Sequence, residues 1–85
     1  MADVISQATP NPQAYKFTID GHSFDGPITI SSAADAAGTP FEGLFALPGV
    51  AGVFATSNFV TLTKEPAADW DGIIAGATQV LSQAF

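Results

Sequence analysis

From Tyr15 to Asp20 large apolar and polar side chains alternate, with Tyr15, Phe17 and Ile19 on one side of an extended chain and Lys16, Thr18 and Asp20 on the other. A period of two predicts a half-buried strand. Asp20-Gly21 carries turn chemistry, and Ile28-Thr29-Ile30 reads as the return strand, reached by a loop longer than two residues and with both isoleucines toward the core. Val50 to Ala55 and Phe59 to Lys64 are two further β-rich runs, joined at Thr56-Ser57-Asn58, where asparagine tolerates left-handed backbone. In the later run Val60 and Leu62 share one face and Phe59, Thr61 and Thr63 the other. Phe59 or Phe54 must therefore point away from the main apolar face.

Two stretches have helical character. Thr39-Pro40-Phe41-Glu42 combines an N-cap, a proline suited to the first helical position and a glutamate that completes a capping box. A helix is predicted from there, carrying Phe41, Leu44, Phe45 and Leu47 inward and ended by Pro48-Gly49. After Pro66, Asp69 is a cap for a last helix in which Trp70, Ile73, Ile74, Ala77, Val80, Leu81 and Ala84 form one stripe. Gly72 and Gly76 weaken its intrinsic propensity by about 1 kcal/mol each, so packing on the sheet must hold it. Ser31 to Gly38 is alanine-rich, able to hold a short helical turn but without large apolar anchors, and is read as a connector.

The order is β-β-α-β-β-α. Burying every stripe at once gives an α+β fold of two layers, a mainly antiparallel sheet with two helices on one face. The first 14 residues are read as an extended segment leading into the first strand. Within it Thr9-Pro10-Asn11-Pro12 is conformationally restricted, because each proline fixes its own φ and drives the preceding residue away from helix.

Composition narrows the chemistry. Apolar residues make up 47% of the 85 positions and charged residues 12%, so the chain folds, and its length suits a single domain over residues 1–85. With no cysteine it has no disulfide, thiol nucleophile or Cys-bound metal. A net charge of −6 disfavours nucleic acid and anionic lipid as partners. The least polar run, Leu44 to Ala55, is broken by Pro48, Gly49 and Gly52 and is too short for a bilayer. Met1-Ala2-Asp3 lacks the basic flank and apolar region of a secretory signal. A cytoplasmic location and no membrane partner are expected.

Candidate chemistry is sparse. Asp20, His22 and Asp25 lie close together in DGHSFD, but a polar loop accounts for them, and no second His or Cys completes an ordinary transition-metal site. His22 as a base for one of the serines is not selected by any spacing, and no Gly-x-Ser-x-Gly, Gly-x-Gly-x-x-Gly or Walker loop occurs. No catalytic residue, cofactor or metal is assigned. Glu65, Asp69 and Asp71 bracket a helix start, where the dipole favours them. Lys16 and Lys64, the two basic residues, lie on strands and suit either contact with an acidic partner group or protection of a strand edge. Phe54 or Phe59 left partly exposed beside TPNP makes a natural protein contact.

TPNP with Ala14, Lys16 and Phe17, then TPFEGLFALPGVAGVFATSNFVTLTK from Thr39 to Lys64, then Trp70, resembles the N-terminal domain of Nfu/NifU-type iron-sulfur scaffold proteins. Residues 21–38 match weakly. The resemblance implies the two-layer fold reached above and a non-catalytic docking or adaptor role near iron-sulfur cluster assembly, with an iron-sulfur carrier or client protein as partner. Full-length members hold the cluster on a second domain bearing a Cys-x-x-Cys pair, so cluster binding is not implied for these residues. The expected contact surface comprises Thr9, Pro10, Asn11, Pro12, Lys16, Phe54, Phe59 and Lys64. The alternative is a small ligand-binding, inhibitory or homo-oligomeric protein that shares the fold outside iron-sulfur metabolism. On either reading TPNP aims the chain into its first strand, and as a contact it also presents a preorganised surface that loses little entropy on binding.

Overall fold

Alternating side chains and closely spaced turns fold this chain into a single antiparallel sheet. The computed structural model describes residues 3–47 and 49–85. Its elements, in chain order, are β1 (Val4–Ala8), β2 (Ala14–Ile19), β3 (Ile28–Ile30), α1 (Ala33–Ala36), α2 (Glu42–Phe45), β4 (Val50–Thr56), β5 (Phe59–Lys64) and α3 (Trp70–Ala84). All five strands belong to one sheet in the order β1-β2-β5-β4-β3, every neighbouring pair antiparallel. The α+β two-layer fold expected from the periodicity is observed.

Register decides which side chains share a face. Phe17 lies opposite Val60, and Val60 opposite Ala55; Tyr15 lies opposite Leu62, Leu62 opposite Val53, and Val53 opposite Ile30. These residues form the floor of the core, on which Leu44 of α2 and Ile73, Ala77 and Leu81 of α3 pack. The α3 trio recurs every four residues, one side of a helix laid against the sheet. Phe17, Ile19, Leu44, Leu62 and Leu81 are fully buried. At about 25 cal/mol per Å² of apolar surface removed from water, such burial is the main force holding the layers together.

Several local features differ from expectation. Strand β1 lies inside the segment read as a lead-in, and its register from Val4↔Ile19 to Ala8↔Tyr15 makes it the edge strand beside β2. Four of its five side chains are exposed, so it lacks the one-sided apolar alternation that marks a strand in sequence. The alanine-rich connector holds the single turn α1, capped by the Ser32 hydroxyl, which accepts from the Asp35 N–H at 3.3 Å.

The helix expected from Thr39 through Leu47 is regular only over Glu42–Phe45. Bonds of the i to i+3 type flank it, from Glu42 N to Thr39 O at 3.2 Å and from Leu47 N to Leu44 O at 3.1 Å. The capping box is displaced: the Thr39 hydroxyl accepts from Phe41 N–H, and the Glu42 carboxylate accepts from Gly38 N–H at 2.7 Å. Tight i to i+3 turns satisfy the amides that the box would have served. The helix stop assigned to Pro48-Gly49 rests partly on Pro48, which lies outside the described residues.

Ile28 also departs from its expected place in the core. It shares the inward side with Ile30 but is 36% exposed, because β3 is the other edge of the sheet. The β4–β5 hairpin turns over Ser57 and Asn58, and Ser57 rather than the asparagine takes the positive φ, +54°. A two-residue hairpin favours left-handed backbone at its first central position.

Candidate functional site

Seven of the expected contact residues and an unanticipated isoleucine fall into two groups, one set by strand parity on the sheet and one by the turn between β1 and β2. The helices cover one side of the sheet, and the opposite side is open. On β5, Phe59, Thr61 and Thr63 point to the open side, as their alternation with the buried Val60 and Leu62 requires. Cross-strand register adds Lys16 and Thr18 from β2, Ile5 and Gln7 from β1, and Phe54 from β4. One row runs Ile5, Thr18, Phe59, Thr56, and the next runs Gln7, Lys16, Thr61, Phe54, Thr29.

Phe54 and Phe59 thus stand diagonally about Thr61, and both point away from the core. Phe54 is 39% exposed and Ile5 62%, while Phe59 is half-buried. The Lys16 ammonium lies 4.6 Å from the centre of the Phe59 ring. The stem of the lysine runs along the sheet and its charge sits against the aromatic ring, an attraction of about 0.5–1 kcal/mol at an accessible site. No Asp or Glu occupies a strand position on this face; Asp3 and Asp20 lie beyond the ends of β1 and β2. In a chain with eight acidic residues, the open face carries, among the described residues, a single cation amid apolar, threonine and glutamine side chains.

Thr9, Pro10, Asn11 and Pro12 form the turn between β1 and β2, at the end of the sheet away from Phe59. They do not adjoin the exposed aromatics as the sequence suggested, because Phe59 pairs with Thr18, at the far end of β2. The turn is tightly bonded. The Thr9 hydroxyl lies 2.9 Å from both the Asn11 and Ala14 carbonyl oxygens and accepts from Asn11 N–H at 3.2 Å. Asn11 accepts from Gln13 N–H through its side chain at 2.9 Å, an Asx turn. Finally the Trp70 indole N–H donates to Pro12 O at 2.9 Å. TPNP is therefore a hairpin turn pinned to the start of α3, with Pro10, Asn11 and Pro12 exposed.

Lys64 stands apart from Lys16. It lies opposite Val50, on the helix side of the sheet, and its ammonium donates toward the carbonyl oxygens of Glu65 at 3.3 Å and Pro66 at 3.5 Å. Near it Leu47, Gly49, Ala68 and Ile73 floor a groove that opens to solvent, with Glu65 and Asp69 at its margin. Asp69 caps α3, its carboxylate accepting from Asp71 N–H at 3.1 Å.

The DGHSFD loop folds onto the end of α3. His22 packs against Phe24 and Phe85 at ring-centre distances of 4.8 and 4.5 Å, and Phe24 continues the cluster to Phe41 at 5.9 Å. His22 is an aromatic packing residue here, and among the described residues no three His, Cys, Asp or Glu gather as metal ligands. A cluster as cargo finds no thiolate on this chain. No helix among the described residues is long and apolar enough to cross a membrane.

The family described as "Scaffold protein Nfu/NifU N terminal" matches residues 4–85. The protein described as an NFU1 iron-sulfur cluster scaffold homolog, mitochondrial, of Drosophila willistoni is 39% identical over 72 residues, covering 76% of this chain and 24% of the fly protein. Its counterpart in Drosophila ananassae is 36% identical with the same coverage. The chain thus spans about a quarter of the length of these relatives. The solution structure of a NifU-like protein from Saccharomyces cerevisiae superposes with a TM-score of 0.82 at 20% identity, covering 96% of this chain and 76% of the yeast chain. Protein SAV1430 from Staphylococcus aureus, a crystal structure, gives 0.79 at 23% identity over 92% of this chain and 96% of its own. These two likenesses carry the fold.

Proposed function

The chain belongs to the Nfu/NifU N-terminal family, and from that premise we propose that it is a non-catalytic protein-interaction module serving iron-sulfur cluster assembly or delivery, without binding a cluster itself. Its work is to bring an iron-sulfur carrier and a client protein together. The observation that carries this reading is the open face of the sheet, where Phe54 and Ile5 stand exposed beside Phe59 and Lys16. Exposed large apolar side chains grouped on one face favour a protein partner, because covering them releases water from apolar surface. The 85 residues hold no cysteine thiolate, which favours binding of proteins over binding of a cluster by this module. We take residues 1–85 as one module acting in the cytoplasm; the fly relatives are themselves described as mitochondrial.

Of the expected contact residues, Lys16, Phe54 and Phe59 belong to this surface. Thr9, Pro10, Asn11 and Pro12 form a rigid turn at one end of the sheet, and Lys64 lies on its other side, so a contact through them is separate and secondary. The groove beside Gly49 and Ile73 favours the second reading, a ligand-binding protein outside iron-sulfur metabolism. That reading expects a small molecule in the groove and indifference to the open face.

Affinity capture from native lysate under anaerobic conditions separates the two. The chain is compared by mass spectrometry with its F54S/F59S variant, both verified as folded. Iron-sulfur scaffolds, carriers or clients retained by the first and lost from the second uphold the adaptor. Equal or absent enrichment removes it.

A further inference from the structure

The open face differs from the rest of the molecule in charge as well as in apolarity. Its strand positions hold no carboxylate, although the chain has eight, and they hold one of its two lysines. Those lysines are used differently. Lys64 spends its donors on the neighbouring carbonyl oxygens of Glu65 and Pro66. The Lys16 ammonium instead rests on the Phe59 ring and is half-exposed among Phe59, Thr18 and Thr61. A ring face attracts the charge but accepts no conventional hydrogen bond, so donors are left for an incoming group.

Resting on the adaptor reading above, we infer that the open face docks a partner-protein segment whose recognition unit is a carboxylate flanked by bulky apolar side chains. The carboxylate meets Lys16, and the apolar groups cover Phe54, Phe59 and Ile5. Charge complementarity selects this occupant. A partner lysine or arginine would face Lys16 at short range, whereas a carboxylate gains a charge-assisted bond. Size agrees with a segment: five strands about 4.8 Å apart, four of them roughly 17–23 Å long and β3 about half that, offer about 400 Å², around half the usual share of one partner in a stable interface. Binding is therefore transient, as suits a module that hands a client on.

The test is selection of phage-displayed random short peptides on the 85-residue chain, with counter-selection on the F54S/F59S variant. Amide NMR spectra establish that each variant is folded. Retained peptides are expected to pair Asp or Glu with Leu, Phe or Trp, to bind the K16E variant at least about 10-fold more weakly, and to be weakened less by K16Q. Selection of Lys- or Arg-rich peptides, of peptides without charge preference, or of none that distinguish the chain from F54S/F59S overturns the inference. Lysate capture with K16E keeps the two readings separable. Iron-sulfur proteins lost on F54S/F59S but retained on K16E leave the adaptor standing and defeat the carboxylate, whereas retention on both variants defeats both.

Discussion

The indole N–H of Trp70 donates to the carbonyl oxygen of Pro12 at 2.9 Å, bonding the first residue of α3 to the turn between β1 and β2. The Trp70 ring also lies 5.2 Å from Tyr15. Trp70→Phe keeps most of this aromatic packing and removes the donor. A hydrogen bond of this kind contributes about 0.5–1.5 kcal/mol, so the variant is expected to melt about 4–8 °C lower per kcal/mol lost. Thermal unfolding followed by circular dichroism measures it.

Two glycines respond oppositely to alanine. Gly49 has φ +92°, and a Cβ there would collide with the Cβ of Ala68, so Gly49→Ala is expected to cost about 1–3 kcal/mol. Gly72 is helical with open space around its Cβ position, and Gly72→Ala is expected to stabilise α3 by about 0.5–1 kcal/mol. Urea titrations of both variants, compared at constant slope, read the two signs.

Parity on β5 separates folding from binding. Leu62 is fully buried, and Leu62→Ala is expected to cost about 2–5 kcal/mol, a large part of the stability of a small domain. Phe54→Ser, on the open face two strand positions along the row from Lys16, gives up a partly covered ring and β-propensity and is expected to cost only about 1 kcal/mol. Chemical denaturation of both proteins tests the contrast.

The parts of the fold with strong local signals were legible in the sequence. Strands β2 and β5 alternate cleanly because one face of each is buried, and α3 announces itself through Asp69 and a four-residue apolar repeat. Strand β1 was not legible, since an edge strand with exposed Ile5, Ser6, Gln7 and Ala8 carries no burial pattern. The shortness of α2 was hidden too, because a capping box in sequence does not reveal that tight turns take the same amides.

At the candidate site, alternation told that Phe59 or Phe54 faces outward. Only cross-strand register showed that both do, with Lys16 between Ile5 and Phe54 in adjoining rows. Lys64 was readable and was misplaced: it shares parity with Val60 and Leu62, and so falls on the helix side. Gly76, expected only to weaken α3, has a positive packing role, because a Cβ there would land on the Leu47 side chain. That close approach depends on the crossing of the two segments, which no local pattern encodes.

Docking of a partner on the open face, as proposed, is open to photo-crosslinking in the native cell. p-Benzoylphenylalanine replaces Phe54 on the open face in one protein and Gln79, exposed on α3, in another. Crosslinks from position 54 to iron-sulfur carriers or clients, with none from position 79, are the predicted result. Crosslinks to those proteins from position 79 alone would contradict the account and move the interface to the helical side.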